Sequence, residues 1–110
     1  MAELPQVQSL DAAGDSRSLR LGRVDLVELA GTSFDRATFQ PGWRWSEHGS
    51  GGQSCPERHL GYLISGQMRF RMDDGTEVEA AAGDAYLIPA GHDAWVVGDQ
   101  PCVALDLRLT

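Results

Sequence analysis

Glycine and proline punctuation constrains this chain more than any other feature. From Leu19 onward no stretch of ten or more residues keeps a helical period. Short segments of β character instead follow one another at spacings of roughly 8–12 residues, each closed by a turn signal. In "QMRFRM", residues 67–72, Met68, Phe70 and Met72 point one way and Gln67, Arg69 and Arg71 the other. "MDDGTEVEA" reads as a tight hairpin, because Asp74-Gly75 supplies the positive φ angles such a turn requires. "AAGDAYLIPAGHDAWVVGDQP" is a strand, a Pro-Gly turn and a second strand. "CVALDLRL" alternates again, with Val103, Leu105, Leu107 and Leu109 on one face. Upstream, "LRLGRVDLVELAG", "RATFQPG" and "WRWSEH" supply further strands. Many short strands and no long helix mean an all-β sandwich or barrel.

A chain of 110 residues makes one domain. Residues 1–18 are polar and without sustained period, an arm that orders only by docking on a sheet or a partner; residues 19–110 form the barrel. A net charge of −7 argues against nucleic acid or an anionic membrane as partner, since both demand basic patches. No run approaches the roughly 20 apolar residues of a membrane helix. The opening "MAELPQVQSLDAAGDSR" lacks the basic start and apolar run of a signal peptide, so the expectation is a cytoplasmic protein. Cys55 and Cys102 are too few for a disulfide framework and are expected to stay reduced there.

The chemistry-bearing residues cluster around "HGSGGQSCPERH", residues 48–59. His48 ends one expected strand, His59 begins the next, and His92 lies in the turn "PAGHD". Strand ends far apart in sequence can meet at the mouth of a barrel. Imidazole and thiolate are good ligands for transition metals, so His48, Cys55, His59 and His92 form a possible ligand set. Against this stands the plainer reading of rim histidines and an inert buried thiol. Glu47 and Glu57 adjoin the set and can serve as outer-shell acceptors or a general base, or remain solvated charges. On "WRWSEH", parity puts Trp43 and Trp45 on one side and Arg44, Ser46 and His48 on the other. Arg44 meets a substrate anion with its guanidinium fork, or the tryptophans line the pocket, or the tryptophans pack in the core or at a dimer interface while Arg44 makes a structural salt bridge. Tyr62 and Tyr86 carry hydroxyls able to orient a ligand, but both sit in apolar strands and read first as core; Trp95 reads as a packing residue, and Asp93 as an acceptor for turn amides.

These residues resemble the cupin family of small jelly-roll barrels over about residues 36–108. "GDAYLIPAG", residues 83–91, fits the glycine, proline and glycine of the second cupin motif without a gap. Gly42 followed five residues later by His48 fits the start of the first motif, and Gly66 after His59 fits its end. The departures fall at the ligand positions. Ser50 stands where the first motif's second histidine is expected, and ten residues separate His48 from His59, so the site loop is enlarged. Counted backwards, Cys55 takes the second histidine's place, Gln53 the first's, and His59 the place of the family's glutamate. In the second motif Ala94 replaces the ligand histidine and Gly98 the asparagine. His92 lies two residues early, a shift of roughly 6.6 Å along a strand, so it reaches the usual metal position only if the turn bends toward it.

The resemblance implies a single cupin barrel, by family habit a homodimer. It also implies a divalent transition metal held by His48, His59 and Cys55 or His92. With His59 in place of a carboxylate, zinc, iron, nickel or copper is favoured over manganese. The fold hosts oxygenases, isomerases, decarboxylases and simple binders. One implied reading is a metal-dependent enzyme on a small molecule, with Glu57 and Arg44 in catalytic roles; the other is a ligand-binding or sensing module without chemistry.

Overall fold

Among the residues that the computed structural model describes, 3–49 and 52–109, the alternation becomes nine antiparallel strands in two sheets. In chain order these are β1 (Asp15–Leu19), β2 (Gly22–Leu29), β3 (Thr32–Phe39), β4 (His59–Ser65), β5 (Gln67–Met72), β6 (Glu77–Ala81), β7 (Ala85–Ile88), β8 (His92–Val96) and β9 (Cys102–Leu109). One sheet has the order β1-β2-β3-β9-β4-β7, the other β6-β5-β8. The crossover of β9 between β3 and β4 is the long-range pairing that rolls the chain into a jelly-roll barrel. The Asp74-Gly75 turn joins β5 to β6, with Gly75 at φ 93° as the hairpin requires. The expected junction of arm and barrel, between residues 18 and 19, falls within β1. The arm itself docks on the sheet: the Gln8 amide donates to Glu28 O at 2.8 Å, and Arg36 donates to Asp11 at 2.7 Å and Leu10 O at 3.2 Å.

Met68 and Phe70 point between the sheets, where Leu63, Ile88 and Val96 join them in the core. Each large side chain so buried contributes about 1.5–3 kcal/mol. Trp43 stacks on Phe39 with ring centroids 3.9 Å apart and closes one end. Strand β9 faces opposite to what its hydrophobicity suggests. Cys102 and Ala104 turn inward together with Asp106 and Arg108, while Leu107 and Leu109 lie on the exposed side. Small and charged inward residues leave a cavity of about 420 Å³ between the sheets.

The expected strand "WRWSEH" is not one. Trp45–Gly49 form a single π-helical turn, and His48 N–H donates to Arg44 O at 2.8 Å where the chain enters it. Asp93 explains the departure: its carboxylate accepts the Ser46 amide at 3.0 Å, the Ser46 hydroxyl at 2.8 Å and the Arg44 guanidinium at 2.8 Å. A local polar latch therefore overrides a pattern compatible with a strand.

Candidate metal centre

The enlarged loop folds back along the edge of β8. Cys55 N–H donates to His92 O at 2.7 Å and Gly91 N–H to Cys55 O at 2.8 Å, an isolated antiparallel bridge that sets the thiol beside the imidazole of His92. Strand β4 begins at His59, whose ring turns inward from the opposite sheet. The ligand atoms of Cys55, His59 and His92 all lie within 4.8 Å of one another. The bridge to Cys55 is the bend that brings His92 to the group despite its early place in the motif.

Both imidazoles are fixed from behind. A carboxylate only accepts, so the 2.8 Å contact of His59 Nδ1 with Asp106 Oδ2 places a proton on Nδ1 and turns Nε2 toward Cys55 Sγ, 3.6 Å away. His92 Nδ1 likewise meets Pro89 O at 2.7 Å, which leaves its Nε2 as the ligand atom. The other oxygen of Asp106 accepts from Tyr86 OH at 2.5 Å. Carboxylate–histidine arrangements of this kind orient metal ligands and raise their basicity. Glycine at position 61 makes room for this contact: a Cβ there would collide with the Asp106 carboxylate and lie 2.7 Å from Tyr86 OH.

The electrostatics follow from this packing. Burial alone would raise the Cys55 thiol, but hydrogen bonds with His59 and His92 outweigh it and bring the pKa down to about 6. Burial likewise opposes charge on His59, yet Asp106 and then Cys55 lift its pKa to about 10. Each group thus favours the charged form of the other, the thiolate of Cys55 and the imidazolium of His59. Burial and the Asp106 charge push the Tyr86 phenol well above its usual range, so it stays a donor. Burial raises the Cys102 thiol to about 11, which keeps it protonated and unreactive near neutral pH.

The remaining candidates sit elsewhere. His48 lines the cavity but stands outside the group, its Nδ1 accepting the Arg44 amide at 3.0 Å. Glu57 also lines the cavity; its side chain is 58% exposed and lies 3.8 Å from Arg108. Arg44 is not among the cavity-lining residues: it pairs with Asp93 and lies over the Trp95 ring at 4.5 Å. Trp43 and Trp45 do line the cavity. Ser50 lies outside the described residues. Sequence reasoning missed Asp106, and it favoured core packing for Tyr86 over a role for its hydroxyl. The available signal was that Asp106 and Arg108 share parity with the small Cys102 and Ala104, a polar face with room beside it.

The trio satisfies what a transition metal needs: three donor atoms of suitable softness, converged and oriented, in the wall of a cavity. Comparisons with known proteins agree on the architecture. Among solved structures, the chain is similar to the Lactobacillus farciminis oxalate decarboxylase formate complex, at 20% identity and a TM-score of 0.69 over 97% of this chain and 33% of that one. It is similar to a sugar phosphate isomerase of the cupin superfamily from Silicibacter pomeroyi, at 17% identity and a TM-score of 0.69 over 96% and 76% of the two chains. A cupin-2 domain protein from Shewanella frigidimarina matches at 13% identity with a TM-score of 0.55, over 79% of each chain. The chain spans about a third of the length of the oxalate decarboxylase (33%), and at these identities the likeness is one of fold. No curated protein matches. The cupin domain family model matches residues 36–108, the span that carries both motifs and the metal-ligand group, and so the chain belongs to the cupin family.

Proposed function

We propose that this cupin binds a divalent transition metal through Cys55, His59 and His92 and presents it to a small molecule in the barrel cavity. The observation that carries the reading is the convergence of one thiol and two imidazoles within 4.8 Å on the cavity wall. Catalytic zinc sites keep three protein ligands and an open position, whereas structural ones close with four. A sulfur–nitrogen set without a carboxylate suits zinc, iron or nickel. Bound there, such a metal supplies Lewis-acid polarisation of a carbonyl or a lowered pKa of water.

The chain's own residues would do the rest. Asp106 holds the Nδ1 proton of His59, and Tyr86 holds Asp106. Glu57 lines the cavity with its carboxylate reachable by water, the placement a proton acceptor needs. Arg44 acts as a positioning residue, holding the turn that carries Trp45 and His48 against the cavity. A non-catalytic reading has one observation in its favour: Asp35 is paired with Arg108 at 2.7 Å and Asp106 with His59 at 2.8 Å, so among the cavity's described carboxylates only Glu57, 3.8 Å from Arg108 and the most loosely held, is placed for proton transfer. In that reading the cavity holds its ligand unchanged. A homodimer and a reducing cytoplasmic setting complete the proposal. The exposed apolar side chains of the larger sheet support the first, and the two unpaired thiols the second.

The test is elemental analysis of untagged protein. About one transition metal per chain is expected, lost in His59→Ala. Protein that carries none, and takes up none from added zinc, iron(II) or nickel near neutral pH, would sink the proposal. Recovery of a bound small molecule in unaltered form from metal-loaded protein would favour the non-catalytic reading.

A further inference from the structure

The charged groups around the cavity are unevenly placed. Each described carboxylate that lines it faces a cation of this chain: Asp106 faces His59, Asp35 lies 2.7 Å from Arg108, and Glu57 lies 3.8 Å from Arg108. The arginines on and just after edge strand β1 are different. Arg17 lies 3.7 Å from Asp15, with the two side chains 68% and 58% exposed, and Arg20 makes no ion pair among the described residues. Both line the cavity. The β1 side of the cavity is thus lined by two guanidinium groups that stand apart from its carboxylates, one of them without an ion pair among the described residues.

Apolar surface begins directly behind these cations. Arg17 stands opposite Val24 in the β1–β2 register, Val24 opposite Ala37, and Ala37 opposite Ala104. Leu26, Phe39 and Trp43 continue that wall. The small side chains of Ala37 and Ala104 are what keep this floor open. A volume of about 420 Å³ is at the low end for small-molecule pockets and holds a ligand on the order of ten non-hydrogen atoms.

We infer that the cavity takes a small amphipathic carboxylic acid, its apolar body on the Val24–Leu26–Phe39–Trp43 wall and its carboxylate between Arg17 and Arg20. The planar fork of a guanidinium matches a carboxylate, and two exposed arginines without a strong internal partner lose little on engaging one. The inference does not rest on the metal, because the anion lies at the β1 rim while the thiol and imidazoles lie on β4, β8 and their loop.

The experiment is calorimetric titration of chelator-treated protein with octanoate, with octan-1-ol and with acetate. Octanoate is expected to bind about tenfold more tightly than octan-1-ol, and acetate not detectably. In the Arg17→Gln/Arg20→Gln double variant, octanoate affinity should fall about tenfold, to the level of octan-1-ol, while octan-1-ol itself binds as before. That unchanged value also reports an intact cavity. Equal affinities for the two chains in the parent protein, octanoate binding unaltered in the double variant, or no binding of octanoate would each overturn the inference. Because the protein is metal-free throughout, none of these results bears on the metal.

Discussion

At the scale of single residues, Asp106 decides how His59 is presented. Its Oδ2 fixes the Nδ1 proton, and without it the ring is free to turn away from Cys55. Asp106→Ala should therefore weaken zinc binding by roughly 10–100-fold, the usual cost of losing such a partner, as read by competition with a chromophoric chelator. Asn in place of Asp retains an acceptor and should recover part of the loss; equal loss in both variants would argue that charge rather than orientation matters. Asp25 carries a separate prediction. It is buried under bonds from Ser16, then Arg23 and Arg36, which outweigh the cost of its burial and hold its pKa at about 2, against an ordinary 3.8. A depressed carboxylate adds stability that is complete above its unfolded pKa and lost as pH falls through its folded one. Denaturant midpoints should accordingly drop between about pH 4 and pH 2, with at most about 2 kcal/mol attributable to this group. Asp25→Asn should flatten that window, and an unchanged acid limb would show that Asp25 does not set it.

At the scale of elements, the site depends on how β4 and β9 lie against each other. Gly61 stands opposite Asp106 in that ladder and opposite Tyr86 in the β4–β7 ladder, so the Tyr86–Asp106 bond passes over a position that only glycine leaves vacant. Gly61→Ala should displace Asp106, lower stability by about 1–3 kcal/mol in urea melts, and weaken metal binding together with it. Loss of stability with full metal affinity would separate the two effects and refute the coupling. Elements also show where the sequence was legible. Alternation and turn residues located β5, β6, β7, β8 and β9, because side-chain parity and the glycine or proline turns between these strands can be read without knowing which strands pair. The π turn was not legible, because its cause is Asp93, far along the chain. The inward placement of Asp106 was hidden for a related reason. Parity defines two faces of β9 but not which one meets the cavity, and hydrophobicity pointed to the wrong one. Cys55 and His59 were legible as candidates by counting back through the motif. That they meet His92 depends on a backbone bridge no local pattern encodes.

At the scale of the whole molecule, the inverted face of β9 has a consequence on the far side of the sheet. Leu60, Tyr62, Ile64, Leu87 and Leu107 are each between 39% and 52% exposed, and Leu60 stands directly opposite Leu87. The docked arm is tied to β2 and β3 through Glu28 O and Arg36, so these contacts leave β4 and β7 uncovered. The five apolar side chains bring no charge of their own, so a partner for them needs apolar surface. A second copy related by a twofold axis supplies the same patch in return. Sedimentation equilibrium should then give about twice the chain mass. Leu60→Glu/Leu87→Glu sets like charges against each other across the twofold and should yield monomers. Both positions point away from the cavity, so those monomers should bind zinc as tightly as the parent. A parent protein that sediments as a monomer at micromolar concentration, or a double variant that stays dimeric, would assign this face to something other than self-association.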